Sequence, residues 1–144
     1  MGPLHDEGLE ALKRAMEEDI ELSYPDYSSD AEELEVSCDA SYFGAGACLT
    51  QRQNGITRVI GYASTTFNRA QQNYSTVEKE LEAIRWAVQI FRSSIMGVRF
   101  VLFTDHRPLV YMSNMSKVNS RIMRTLNELS EFDFEVRYRP GKEN

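Results

Sequence analysis

The dipeptide Asn54-Gly55 constrains this chain more than any other feature of its sequence. A two-residue hairpin turn needs positive φ at both central positions, which Asn-Gly supplies readily. The flanking segments are therefore expected to pair as antiparallel neighbours. Upstream, Ala47, Cys48 and Leu49 resume a strand that Gly44 and Gly46 interrupt; downstream, a strand runs near Thr57 to Ala63. Before both, Leu34, Val36, Cys38 and Ala40 alternate with Glu35, Ser37, Asp39 and Ser41, the pattern of a strand with one buried face. Three strands in a meander are the expected start of the fold.

The period then changes. Over Thr76 to Phe91, Val77, Leu81, Ile84, Val88 and Phe91 form one stripe that Ala83, Ala87 and Ile90 widen, which predicts a helix. Thr76 is the expected N-cap, with Lys79 at the third helical position making an imperfect capping box. Val98 to Phe103 is apolar on both faces apart from Arg99 and suits a covered central strand. Pro108 fits the start of a short helix through Met112, and Asn119 to Leu129 carries another helix. Phe132, Phe134, Val136 and Tyr138 alternate as a last strand. The order β-β-β-α-β-α-α-β predicts an α/β fold, a mixed five-stranded sheet with helices packed on it. In such sheets ligands bind beyond the carboxyl ends of parallel strands.

The 144 residues amount to one domain, and 42% hydrophobic with 26% charged residues is ordinary globular composition. No apolar run reaches the roughly 20 residues of a membrane-spanning helix, so no membrane partner is expected. Cys38 and Cys48 form no C-x-x-C pair and read as small buried residues in a reducing compartment. The net charge of −6 is unevenly spread. Residues 1–33 carry 11 acidic side chains against Lys13 and Arg14, whereas residues 34–144 carry 14 basic against 11 acidic. An acidic leader, with a short helix over Glu7 to Asp19 and a linker over Ser23 to Glu33, is expected to precede a mildly basic domain over 34–144. A nucleic-acid partner is compatible with that body.

Three carboxylates stand out by position. Asp39 lies on the polar face of the first strand, and Asp105 ends the apolar run Val101-Leu102-Phe103-Thr104. If those strands are parallel neighbours, both acids emerge at one sheet edge. Glu80 is selected by helix geometry: Glu78, Glu82, Arg85 and Gln89 are spaced as a solvent face, while Glu80 shares its stripe with Ala83, Ile84 and Ala87. Three converging carboxylates repel one another without a cation, and an all-oxygen donor set suits Mg²⁺ or Mn²⁺ better than zinc. A pair of such ions serves in-line phosphoryl displacement by water. His106 beside Asp105 is a candidate substrate contact, although a local structural role competes. Lys117, Arg121 and Arg124 step by four and three residues and form a basic stripe suited to a phosphate backbone.

These motifs resemble the ribonuclease H domain of reverse transcriptases from Ty3/Gypsy-type LTR retrotransposons. The segments that carry the resemblance are Cys38-Asp39-Ala40-Ser41 with Gly44 and Gly46, Gly61-Tyr62-Ala63-Ser64, Asn73-Tyr74-Ser75 followed by Glu78-Lys79-Glu80-Leu81, Phe91-Arg92, Thr104-Asp105-His106, and Phe132-Asp133-Phe134 with Tyr138-Arg139-Pro140-Gly141-Lys142-Glu143-Asn144. They occur in family order over residues 34–144, and Leu12-Lys13 with Pro25-Asp26-Tyr27 is similar to the tether that joins this domain to the polymerase.

The resemblance implies a ribonuclease H-like fold and endonucleolytic hydrolysis of the RNA strand of RNA·DNA hybrids with two Mg²⁺ or Mn²⁺ ions. Asp39, Glu80 and Asp105 match the family's first three metal-binding carboxylates, and Ser41 falls in a motif that faces substrate. The family's fourth carboxylate, in an Ala-Asp pair before a final helix, lies beyond Asn144, the last residue given; residues 1–144 alone are therefore expected to cleave slowly or not at all. The implied partners are the hybrid and a polymerase domain of the same polyprotein, in a cytoplasmic retroelement particle or the nucleus. Two other readings compete. One is a non-catalytic module of the same fold, in the polyprotein or in a domesticated host protein. The other is an integrase or transposase core, whose Asp-Asp-Glu order the Asp-Glu-Asp order here opposes.

Overall fold

A computed structural model describes residues 21–104 and 120–139. Five strands, β1 (Leu34–Ala40), β2 (Gly44–Gln53), β3 (Ile56–Thr66), β4 (Phe100–Thr104) and β5 (Phe134–Tyr138), form one sheet in the order β3-β2-β1-β4-β5. The helices are α1 (Arg69–Gln72), α2 (Thr76–Ile90), α3 (Arg92–Ile95) and α4 (Ser120–Leu129). β1, β2 and β3 are antiparallel neighbours, and β4 pairs parallel with both β1 and β5. This is the expected mixed five-stranded sheet.

The hairpin is built as its turn residues require. Asn54 and Gly55 have φ of 58° and 78°, and Gln53 pairs with Ile56 across them. β3 is longer than expected and carries a bulge, since Leu49 faces Gly61 while Thr50 faces Val59. Gly61 lies under the Phe91 ring, where an added Cβ would come within 3.2 Å of Cε1.

One face of the sheet supports the main core. Leu34, Val36, Cys38, Leu49, Phe100 and Leu102 meet Leu81, Ile84, Ala87 and Val88 of α2, together with Leu129 and Phe132. Every residue of β4 is buried, as its double-sided apolar pattern required. Phe132 precedes the last strand instead of belonging to it; its ring sits edge-on to Phe100, and Phe134 stacks on Phe100 at 5.4 Å.

Three expectations are corrected. β1 does not have one buried face only, because Ser37 is fully buried opposite Phe103 and Cys48. The residues expected as a linker are held to the sheet. The Ser23 amide donates to the Val59 carbonyl, and the fully buried Gln51 side chain accepts from the Asp26 amide and donates to the Asp26 and Glu32 carbonyls. Tyr27 Oη donates to the Ser94 carbonyl at 2.7 Å. The third correction concerns the start of α2 and is given below. The leader helix over Glu7 to Asp19 and the short helix from Pro108 lie outside the described residues. Among the described residues, no helix is long and apolar enough to cross a membrane.

Candidate active site at the carboxyl end of the parallel strands

β1 and β4 run side by side with Leu34 opposite Phe100 and Ser37 opposite Phe103. Both strands therefore deliver their carboxyl ends to one edge of the sheet. Asp39 is the penultimate residue of β1 and half-buried; its Oδ1 accepts from the Ala40 amide at 3.0 Å. Its partner across the β1–β2 ladder is Gly46, so no side chain stands opposite it on that strand. β4 ends at Thr104. Asp105 and His106 follow directly in sequence and lie outside the described residues, as does Lys117.

Glu80 reaches the same end by way of α2. Ala83 is buried against Ala45 and Phe67, with Ala40 packed on that cluster. Ala40 adjoins Asp39 in β1, and Ala83 is one helical turn after Glu80. The Glu80 turn thus belongs to the end of α2 that lies over the carboxyl end of β1. Glu80 is only 8% exposed, an uncommon degree of burial for a glutamate. Its placement among inward-facing positions follows from its stripe with Ala83, Ile84 and Ala87, all of them buried.

The start of the helix differs from expectation. Ser75, not Thr76, is the N-cap, and the box is complete: Ser75 Oγ accepts from the Glu78 amide, and Glu78 Oε1 accepts from the Ser75 amide. Glu78 is accordingly buried and does not belong to the solvent face. A carboxylate there also meets the positive end of the helix dipole. Farther along, Arg85 binds Glu82 through two hydrogen bonds, which raise the guanidinium pKa above its ordinary value. The signal for the box was present in the sequence, since Ser-x-x-Glu precedes the apolar stripe.

The remaining expected contacts divide in the same way. Ser41 is exposed in the β1–β2 turn, where its Oγ accepts from the Phe43 and Gly44 amides at 3.3 Å each. Arg124 is exposed on α4; Arg121 is on the same helix, with its side chain outside the described residues. Sequence reasoning missed Arg139, whose guanidinium lies 3.5 Å from the Phe103 ring centroid while its amide donates to the Thr104 carbonyl. A cation therefore sits beside the end of β4.

Among the described residues, no group of three His, Cys, Asp or Glu is arranged to hold a metal ion. Asp39 and Glu80 are the two described members of the expected set. Their oxygen donors fit a hard divalent cation, and Cys38 and Cys48, the soft donors, are both buried.

Residues 29–132 match the family model described as "RNase H-like domain found in reverse transcriptase". The chain belongs to this family. It is 44% identical over 123 residues to the Pol polyprotein of transposon 412 from Drosophila melanogaster, covering 85% of this chain and 10% of that one. It is 31% identical over 147 residues to the transposon Tf2-3 polyprotein of Schizosaccharomyces pombe, covering 99% of this chain and 11% of the other. The chain thus spans about a tenth of the length of these curated relatives.

Solved structures carry the same fold at low identity. A foamy viral protease-reverse transcriptase in complex with double-stranded DNA matches with a TM-score of 0.71 at 17% identity, covering 94% of this chain and 29% of that one. The same kind of protein in complex with an RNA/DNA hybrid gives 0.58 at 15% identity, covering 95% and 19%. RNase H1 from Halobacterium salinarum gives 0.54 at 15% identity, covering 75% and 86%. The mixed sheet with its packed helices is an RNase H fold.

Proposed function

We propose that this domain hydrolyses the RNA strand of RNA·DNA hybrids by two-metal-ion catalysis, next to the polymerase domain of a retroelement polyprotein. The observation that carries this reading is the buried Glu80 on the turn of α2 over the carboxyl end of β1, where Asp39 is half-buried. Family membership supports it, as does a fold neighbour that binds an RNA/DNA hybrid.

In this reading Asp39, Glu80 and Asp105 hold Mg²⁺ or Mn²⁺. The ions, when bound, activate water and stabilise the departing oxygen of an in-line displacement. The chain's own contribution is alignment. β1 fixes Asp39 through its pairing with Gly46 on β2 and through the β4 pairing of the strand up to Ser37, and the capping box holds the first turn of α2 in register for Glu80. Arg124, with Arg121 and Lys117, offers charge to the phosphate backbone, and 2′-hydroxyls distinguish the RNA strand. A retroelement particle in the cytoplasm, or the nucleus, is the proposed setting.

The test is a cleavage assay on end-labelled RNA·DNA hybrid, double-stranded RNA and double-stranded DNA, using the domain joined to its polymerase. Cleavage confined to the RNA of the hybrid, and dependent on Mg²⁺ or Mn²⁺, is expected. Complete inertness with both metals would leave a non-catalytic module of the same fold.

A further inference from the structure

The last strand brings a cation to the carboxylate edge. Arg139 directly follows β5, and its amide donates to the Thr104 carbonyl at 2.8 Å, extending the β4–β5 ladder beyond the Thr104–Tyr138 pair. Its half-buried guanidinium lies 3.5 Å from the centroid of the Phe103 ring. Phe103 and Thr104 are both buried. Arg139 thus grips the last two residues of β4 at once, one through its side chain and the other through its backbone.

The strand register gives this grip its place. Ser37 of β1, Phe103 of β4 and Arg137 of β5 stand in one row across the three parallel strands. Side chains two residues apart along a strand share a face. Two residues on from this row come Asp39 in β1 and Arg139 after β5, and Asp105 is two residues after Phe103 in sequence. The stack of Arg139 on Phe103 agrees with that shared face. Carboxylates gathered at one edge repel one another. A cation in the same row offsets the repulsion, and an aromatic face suits a planar guanidinium.

We propose that Arg139 is a positioning residue for the divalent-metal site: by clamping Phe103 and Thr104 it sets the direction in which Asp105 leaves β4, so that this carboxylate joins Asp39 and Glu80 on a cation. This inference rests on the proposed activity and its ligand set. The stack holds the half-buried guanidinium against β4 instead of extending it toward a duplex, which favours a positioning role over a phosphate contact. Groups that orient metal ligands govern affinity strongly, and losing one typically costs about 10–100-fold.

The test compares wild type, Arg139→Ala and Phe103→Leu in the domain joined to its polymerase. Mn²⁺ binding is followed by calorimetry, and RNA-strand cleavage is measured over a range of Mg²⁺ and hybrid concentrations. Asp39→Asn identifies the Mn²⁺ sites that belong to this domain. Arg139→Ala is expected to weaken Mn²⁺ binding at those sites about tenfold and to raise the half-saturating Mg²⁺ concentration by a similar factor. KM for the hybrid at saturating Mg²⁺, and DNA synthesis by the polymerase domain, are expected to be unchanged. Phe103→Leu/Arg139→Ala is expected to lose no more than the more damaging single variant, because the two residues act as one unit. A lower melting temperature with unchanged Mn²⁺ affinity and Mg²⁺ requirement makes Arg139 a structural residue only and overturns the proposal, leaving the activity standing. A higher KM with a shallower salt dependence, at an unchanged Mg²⁺ requirement, makes it a phosphate contact and also overturns it. Weaker Mn²⁺ binding in Arg139→Ala of a protein that never cleaves supports the positioning role and counts against the activity.

Discussion

Ser75 and Glu78 bond to each other twice: the Glu78 amide donates to Ser75 Oγ at 3.2 Å, and the Ser75 amide donates to Glu78 Oε1 at 3.0 Å. This reciprocal pair closes the first turn of α2 two residues before Glu80. Replacing Ser75 by Ala is expected to cost about 1 kcal/mol of stability, read as a lower urea midpoint with an unchanged slope. The same variant should cleave more slowly, because frayed helical backbone displaces Glu80. An unaltered midpoint would show that the cap contributes nothing.

Gln51 holds the segment before β1 to the sheet through the backbone of Asp26 and Glu32. Gln51→Ala leaves those groups without their partner and opens a gap in a fully buried position. A loss of about 1–3 kcal/mol is expected. Limited proteolysis should then cut within residues 21–33 well before it cuts the sheet; equal rates in the variant and the wild type would contradict this role.

Arg124 gives a separate test of the nucleic-acid face. Its exposed guanidinium is expected to contact phosphate, so Arg124→Ala should weaken hybrid binding alike for every sequence and reduce the salt slope by about one. An unchanged slope would make it a solvated helix residue.

Glu135 sets a pH dependence. The Arg137 hydrogen bond, reinforced by the charges of Arg137 and Arg99, holds its carboxyl below the ordinary value. A depressed folded-state pKa adds stability above the unfolded value, about 4.3 for glutamate, and the gain disappears as pH falls through the folded value. The melting temperature of wild type should therefore exceed that of Glu135→Gln slightly at neutral pH, with the difference closing under acid. A constant difference across that window would contradict the assignment.

Much of the architecture was legible because its signals are local. Asn54-Gly55 has its positive φ angles, and the uniformly apolar Val101-Leu102-Phe103 became a strand covered on both faces. Glu80 was assigned to the inward stripe with Ala83, Ile84 and Ala87, and it is buried, as is Glu78, which the spacing had assigned to solvent. Other features were not legible because they depend on tertiary partners. Ser37 reads as solvent-facing by alternation, yet the sheet buries it, and Gln51 reads as an ordinary polar strand residue until the chain folds back over it. Thr76 displaced Ser75 as the expected cap because both residues suit the role, and only the reciprocal bond to Glu78 decides between them.

In the proposed mechanism Glu80, not its helical neighbours, works with Asp39 on the phosphodiester. The most direct measurement compares initial rates of RNA-strand cleavage by Glu80→Gln, Glu82→Gln and Asp39→Asn in the domain joined to its polymerase, each checked for an intact melting transition. Misplacement near a reacting centre costs roughly a hundredfold in rate. Glu80→Gln and Asp39→Asn are expected to lose at least that much, while Glu82→Gln, which weakens the pairing with Arg85 and the hydrogen bond from Gln71 Nε2, should retain most of the activity. Full activity in folded Glu80→Gln, or equal losses in Glu80→Gln and Glu82→Gln, would contradict the account.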